Sequence, residues 1–346
     1  MSTEHNPDDV GVVIQKNTGM YRVRLDGRVI DCSLSARLWK PAAETPARHK
    51  AMRHDQRHDP RHDQRHENNS HIDLLAVGDW VRLAAGSNGF GQIVEVLPRR
   101  NRLARRSAVP MPGAHPFEQV IAANVDLIVP VFAAADPAPK WNLLDRYLVS
   151  AESLEIPSLV CITKLDLVQA GDGSLDEELE ATAAEYRRIG YPVLLTSART
   201  NTGMADLRNA LSGKVAVLVG KSGVGKTSLL NALQPGLGLR VSAVNPVTGK
   251  GRHTTSSAEM FDLESGGAIV DTPGVREFGL WDVDQDDLAL FFPEMRPFIG
   301  RCRFGLGCRH EDEPGCALRR AVMAGQVSPR RYQSYMRLMQ DGYTDD

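Results

Sequence analysis

Over the first hundred residues, polar and apolar positions alternate in short runs. Val12-Val13-Ile14, Tyr21-Arg22-Val23-Arg24-Leu25, Val29-Ile30-Asp31-Cys32, Trp80-Val81-Arg82-Leu83 and Gly91-Gln92-Ile93-Val94-Glu95-Val96-Leu97 each read as a short strand. Asp26-Gly27 lies between two of these runs and is a hairpin signal, because a tight two-residue turn needs residues that tolerate positive φ. Short strands, turn signals and no helical periodicity predict a small β-barrel, with OB-like and SH3-like barrels both compatible. After Ala123-Asn124 the texture changes. Val125 to Phe132 reads as a buried strand, and Asn142 to Leu154 as a helix with Leu143, Leu144, Tyr147, Leu148 and Ala151 on one side. Strand over 158–163, helix over 175–189, strand over 192–196 and helix over 204–211 follow. Then come a strand at Val215 to Val219, a helix from Ser228 and a strand at Ala268-Ile269-Val270. This alternation predicts a parallel sheet covered on both faces. Cys316 to Met323 and Pro329 to Leu338 read as closing helices.

Composition narrows the picture only slightly. With 346 residues, 42% of them hydrophobic, the chain can build two or three ordinary globular domains. The N-terminus has neither a basic start nor an apolar run, and no stretch reaches eighteen apolar residues, so the expectation is a cytoplasmic chain with no membrane partner. A formal net charge of −2 hides local asymmetry. Residues 41–70 form a low-complexity insert with tandem His-Asp repeats, and six of the ten histidines lie between His49 and His71. Pro60 would break a helix that stacked these histidines, and the Asp and Arg of each repeat favour water, so a disordered surface loop is expected there rather than a metal site. The barrel ends in Pro98 to Arg106, where Arg99, Arg100, Arg102, Arg105 and Arg106 occur without an acid. Beside an OB-like barrel such a run favours RNA phosphate contacts over a solvated linker.

The chemistry is concentrated in loops that follow strands. Gly220-Lys221-Ser222-Gly223-Val224-Gly225-Lys226-Thr227 fits G-x-x-x-x-G-K-[ST], with a buried strand before it and a helix start at Ser228 after it. In that context backbone N–H groups and the helix N-terminus cradle phosphates, Lys226 reaches the β/γ oxygens, and the Thr227 hydroxyl can hold Mg²⁺. Thr163-Lys164-Leu165-Asp166 resembles the guanine-specificity motif. A carboxylate at Asp166 accepts from guanine N1–H and the exocyclic amine, which adenine cannot supply in that pattern. Ser197-Ala198 resembles the second base motif, with the Ala198 N–H directed to guanine O6. Asp271-Thr272-Pro273-Gly274 resembles the D-x-x-G switch: the aspartate reaches Mg²⁺ through water, and the Gly274 N–H senses the γ-phosphate. Gly251-Arg252-His253-Thr254-Thr255 supplies the threonine of the other switch, Thr254 or Thr255, to complete the Mg²⁺ shell. The base motifs precede the phosphate loop, the reverse of the usual order, which fits a circular permutation. Near the C-terminus Cys302, Cys308, His310 and Cys316 offer the Cys₃His set of a structural zinc site, though without a C-x-x-C knuckle.

These features together, with Asp271 to Leu280 reading Asp-Thr-Pro-Gly-Val-Arg-Glu-Phe-Gly-Leu, resemble the RsgA (YjeQ) family of small-ribosomal-subunit-dependent GTPases. The resemblance covers the chain apart from the acidic start and the His-rich insert. It implies a multidomain α/β protein with an N-terminal OB-like β-barrel, a circularly permuted P-loop GTPase domain and a C-terminal zinc-binding helical domain, over 1–115, 116–282 and 283–346. It also implies one Zn²⁺, Mg²⁺ with GTP, and GTP hydrolysis stimulated by the small subunit during its late maturation, with contacts to 16S rRNA. A monomer is expected. Thr163 stands where many relatives have Asn, which would loosen the base pocket. Val275 replaces the glutamine that orients water in Ras-like enzymes, so hydrolysis is expected to be slow until His253 positions the water. A competing reading is an RNA-binding assembly factor that keeps GTP as a slowly exchanged structural ligand. An ATP-dependent P-loop enzyme is a third, which Asp166 opposes.

Overall fold

The computed structural model describes residues 9–17, 19–38, 75–85, 90–106, 118–168, 176–239, 258–272, 283 and 285–341. The His-rich insert, the switch residues His253, Thr254, Thr255 and Gly274, and Val275 lie outside the described residues. The chain falls into two compact units, Met1–Arg99 and Arg100–Asp346.

The first unit contains β1 (Val10–Asn17), β2 (Met20–Leu25), β3 (Arg28–Leu34), β4 (Trp80–Ala85) and β5 (Gly91–Val96). Strands β1, β2 and β3 pair antiparallel in succession, β3 pairs parallel with β5, β5 antiparallel with β4, and β4 returns to β1. The parallel β3–β5 pair distinguishes this closed barrel from a simple meander and gives the OB arrangement. Alternation drives inward-facing Val13, Val23, Cys32, Val81 and Ile93 into one core, where each is fully buried.

Asp79 is also fully buried and cannot be left unpaired there. It accepts from the Ala76 N–H at 2.8 Å and takes both arms of Arg99, at 2.6 and 2.7 Å. Arg99, the first arginine of the basic run, is therefore drawn into the barrel by a carboxylate twenty positions earlier, which local pattern does not show.

In the second unit Arg102, Arg105 and Arg106 of the basic run lie in a strand. Strand β6 (Arg102–Arg106) pairs antiparallel with β7 (Glu118–Ala123). Arg102 is exposed. Arg100 turns to the acidic and carbonyl side of the following turn, donating to the Asn124 carbonyl at 3.1 Å and to Asp126 at 2.9 Å.

The nucleotide core follows as β8 (Leu127–Ala133), α1 (Trp141–Ser153), β9 (Val160–Thr163), α2 (Glu177–Ile189), β10 (Val193–Leu195), α3 (Met204–Leu211), β11 (Val215–Val219), α4 (Lys226–Leu233), β12 (Glu259–Asp262) and β13 (Ala268–Asp271). The strands run β10-β9-β8-β11-β13-β12; the first five are parallel, and β12 is antiparallel to β13. Parallel pairing brings the C-terminal ends of β8, β9, β10, β11 and β13 to one edge of the sheet, and the motif loops leave from those ends. Asp176 caps α2 by accepting from the Leu179 N–H at 3.0 Å, and Gly190 ends it in a left-handed conformation (φ 116°).

Beyond the sheet, short 3₁₀ turns lead to α5 (Ala317–Met323) and α6 (Pro329–Asp341). This C-terminal lobe has its own core of Phe292, Met295, Leu318, Val327 and Tyr335, joined by Val149 of α1. Asp145, Val149 and Glu152 recur at i, i+4 and i+7, one stripe of α1, and all three meet the lobe. Arg330 and Arg331 of α6 are spent in ion pairs. Arg331 is fully buried between Asp145 (2.8 Å) and Glu294 (2.6 and 3.0 Å), and Arg330 binds Asp145 (3.1 Å) and Glu185 (3.0 Å). Burial alone would lower the Arg331 pKa, but these carboxylates more than offset it and raise it.

Because Arg99 is the cation that pairs with fully buried Asp79, Arg99→Ala is expected to destabilise the barrel by about 3–5 kcal/mol in chemical denaturation. A loss below about 1 kcal/mol, as for an ordinary exposed arginine, would contradict the assigned role.

Candidate nucleotide site and metal centre

The phosphate loop lies between β11 and α4 and is held tightly against neighbouring strand ends. A Cβ built at Gly220 would collide with the Val131 carbonyl oxygen at the end of β8, so only glycine fits. Gly225 precedes α4 with φ 97°. Val224 is buried, whereas Lys221 and Ser222 are exposed. The Lys226 ammonium lies along the loop, donating to the carbonyls of Gly220 (2.6 Å) and Lys221 (3.0 Å). Gly223 forms part of the turn, and Thr227 and Ser228 occupy the first turn of α4.

Asp271 ends β13, next in the sheet to β11. Burial lowers the Lys226 pKa and raises that of Asp271, and each group partly counteracts the shift of the other. Two opposite charges thus face one another in a poorly solvated site. Phosphate near the lysine and a divalent cation near the carboxylate would favour the charged form of each. Thr272 is buried and donates to the Leu218 carbonyl at 3.2 Å, fixing the end of β13 to β11.

The base loops converge on the same edge. Asp166 sits in a short 3₁₀ turn after β9, and its Oδ1 accepts from the Ser197 hydroxyl at 2.6 Å. Ser197 is fully buried and also accepts from the Thr200 N–H at 3.2 Å, so the hydroxyl both donates and accepts. Ala198 follows it, partly exposed, and Arg199 lies 3.5 Å from Asp166 Oδ2. Sequence reasoning did not single out Arg199; its position directly after Ser197-Ala198 is the signal that would have. Lys164 adopts a left-handed conformation (φ 58°) and donates to the Asp136 carbonyl in the loop after β8.

Thr163 is the informative departure. It is buried, and its hydroxyl lies at the Val224 carbonyl of the phosphate loop, with the Phe132 carbonyl at 3.2 Å as the other acceptor. The short side chain therefore ties the base loop to the phosphate loop, where the sequence suggested a looser pocket. His253, Thr254, Thr255 and Gly274 fall outside the described residues, so only Asp271 and Thr227 of the Mg²⁺ set have positions here.

Cys302, Cys308, His310 and Cys316 come together in the C-terminal lobe, all buried, with their ligand atoms within 4.8 Å of one another. Cys302 Sγ is 3.5 Å from His310 Nδ1 and 3.9 Å from Cys316 Sγ, and His310 Nδ1 is 3.4 Å from Cys316 Sγ. Tetrahedral zinc with ordinary bond lengths requires separations of about 3.6 Å for sulfur to nitrogen and about 3.8 Å for sulfur to sulfur, so the donor set fits. Backbone N–H groups of Ala317 (3.2 Å) and Arg319 (3.4 Å) donate to Cys302 and Cys316, the supporting contacts that thiolates need. Burial alone would raise the Cys302 pKa, yet N–H groups and neighbouring thiols bring it below its ordinary value.

The fold and site define a P-loop nucleotide-binding domain of the GTPase type, permuted so that its base loops precede its phosphate loop, with a metal-binding lobe at its end. Known proteins agree. The sequence pattern of the RsgA GTPase family matches residues 96–281. The chain is 45% identical over 270 residues to a small ribosomal subunit biogenesis GTPase RsgA of Pseudomonas aeruginosa, covering 78% of this chain and 76% of that protein. It is 46% identical over 266 residues to the protein so named in Gemmatimonas aurantiaca, covering 76% and 83%. The crystal structure of YjeQ from Thermotoga maritima superposes with a TM-score of 0.68 at 28% identity, covering 98% of this chain and 99% of that one. YloQ, described as a circularly permuted GTPase, superposes with a TM-score of 0.65 at 29% identity, over 99% and 97%. The chain belongs to the RsgA GTPase family and is therefore a hydrolase.

Two measurements test the geometry. Replacing Thr163 with Val removes one buried hydrogen bond without changing shape, and should weaken GDP binding about fivefold in a fluorescence titration; unchanged affinity would refute the tie between the loops. Stripping zinc with a chelator should unfold the C-terminal lobe, seen as lost amide protection over 283–341, and re-added zinc should restore it.

Proposed function

We propose that this chain hydrolyses GTP during late maturation of the small ribosomal subunit, binding the subunit's 16S rRNA and being stimulated by it. The observation that carries the reading is the convergence of Asp166, Lys226 and Asp271 at one sheet edge, in a unit that also holds the Cys₃His lobe. Relatives with the same sequence pattern are named for small-subunit biogenesis.

In this proposal Gly220 to Ser228 cradle the phosphates, and Thr163, Lys164, Asp166, Ser197 and Ala198 receive guanine. Thr227, Asp271 and one of Thr254 and Thr255 serve Mg²⁺, which neutralises charge developing between the β- and γ-phosphates. Gly274 senses the γ-phosphate. His253 orients the attacking water in place of the glutamine that Val275 lacks. Zinc holds the lobe of residues 283–346 in one shape and takes no part in the chemistry. Residues 1–115 are the RNA-binding domain, followed by the GTPase domain over 116–282. Arg102, Arg105 and Arg106 are assigned to rRNA phosphates. Arg99 and Arg100, given the same role by the sequence, have their guanidinium groups paired with Asp79 and Asp126, each within its own unit. The chain acts as a cytoplasmic monomer. Among the described residues no helix is long and apolar enough to cross a membrane.

GTP turnover measured at fixed salt should rise at least about tenfold when small subunits are added. His253→Ala should abolish that rise while leaving GTP affinity intact. Equal rates with and without subunits would replace the proposal by a factor that holds GTP structurally.

A further inference from the structure

Helix α1 touches both ends of the second unit. At its C-terminal-lobe face, Asp145 is fully buried. Its Oδ1 accepts from the Tyr186 hydroxyl (2.6 Å) and Arg331 (2.8 Å), and its Oδ2 from Arg330 (3.1 Å). Tyr332, the neighbour of Arg331, donates its hydroxyl to the carbonyl of the zinc-type ligand His310. Toward the nucleotide, Trp141 in the first turn of α1 stacks on Phe132 of β8 with centroids 6.4 Å apart, and also contacts Tyr186. Immediately before α1 lies the loop whose Asp136 carbonyl receives Lys164 of the base loop.

A continuous set of contacts therefore runs from the metal centre to the base loop. It passes from His310 to Tyr332, Arg331, Asp145 and Tyr186, then through Trp141 and the 136–140 loop to Lys164. The Asp145 bonds to Tyr186 and Arg331 are buried, and the steps from Tyr332 to Arg331 and from Trp141 to the loop run along the chain itself. Trp141 is half-buried against Phe132 and Tyr186, and the Lys164 bond to the Asp136 carbonyl is exposed. A buried charge cluster of this kind is a poor source of net stability, since apolar residues of similar volume commonly do as well. What it provides is one orientation: the Arg331 fork binds Asp145 and Glu294 at once, so the lobe can seat on α1 in a single register.

We propose that α1 is the positioning element between the C-terminal lobe and the guanine pocket, and that Asp145 is the residue through which the lobe holds it. The lobe sets the angle of α1, α1 sets the Asp136 loop, and that loop sets the Lys164 stem against which the base lies. The proposal deepens the guanine-pocket assignment and rests on it. It also gives the zinc lobe an influence on nucleotide binding that does not pass through the switch segments.

The measurement is nucleotide affinity of the full chain with zinc bound. Asp145→Asn keeps the shape and removes the charge. A second variant combines Asp145→Leu with Arg331→Met, giving the seam apolar residues of similar volume, and carries the test if the first does not fold. GDP reads the base and phosphate sites together, whereas magnesium tripolyphosphate reads the phosphate loop without the base loop. GDP affinity should fall about tenfold in the folded variant, while tripolyphosphate affinity stays within twofold. If both fall together the cluster only holds the fold, and if neither changes α1 does not position the pocket; either result overturns the proposal. Binding of GDP in preference to ADP by the unmodified chain, measured alongside, tests the guanine-pocket assignment separately.

Discussion

The close approach of the phosphate loop to the end of β8 is the constraint on which the rest of the site depends. No side chain fits at Gly220 because the Val131 carbonyl occupies the space. Further along the loop, Thr163 at the end of β9 reaches the Val224 carbonyl. The loop after β11 is thus held by the ends of β8 and β9, which lie in succession beside β11 in the sheet. The relative placement of the phosphate-loop and base-loop motifs is set by contacts between the ends of parallel strands, and chain order does not enter. A permuted sequence can build the same pocket because the sheet, and not the connections, fixes the spacing of strand ends.

Electrostatics works differently in the two compact units. In the barrel a single bidentate pair, Arg99 with Asp79, closes one buried carboxylate and leaves little to spare. In the second unit five charges, Asp145, Glu185, Glu294, Arg330 and Arg331, share one seam between α1, α2 and the C-terminal lobe. Burial makes such clusters costly when a member is lost, and geometrically exacting when all are present. The lobe is consequently tied to the nucleotide core by a directional device as well as by the apolar contacts around Val149.

Much of this was legible in the sequence, for identifiable reasons. The barrel strands, the parallel sheet, α3 with its bounds, the phosphate loop and the Cys₃His set follow from periodicity, turn chemistry and spacing, all local properties. Strands β6, β7 and β12 were not anticipated: what makes each a strand is its partner, β6 and β7 for one another and β13 for β12. The arginines show the same limit. Charge density marks a basic run, but Asp79, Asp126, Asp145 and Glu294 decide how its guanidinium groups and those of α6 are paired, and each lies twenty or more residues and at least one element away from its arginine. Thr163 was read by comparison with Asn, and the contact of its hydroxyl with the Val224 carbonyl, sixty-one positions away, is one that local pattern does not show.

The central claim is that loops scattered through the permuted order assemble one guanine-specific pocket around Asp166. Xanthine carries a carbonyl where guanine carries the exocyclic amine, so an amide at position 166 should donate where the carboxylate accepted. Parallel titrations of the unmodified chain and Asp166→Asn with GTP and XTP test this directly. The account predicts preference for GTP in the first and for XTP in the second. An Asp166→Asn chain that still preferred GTP would contradict it.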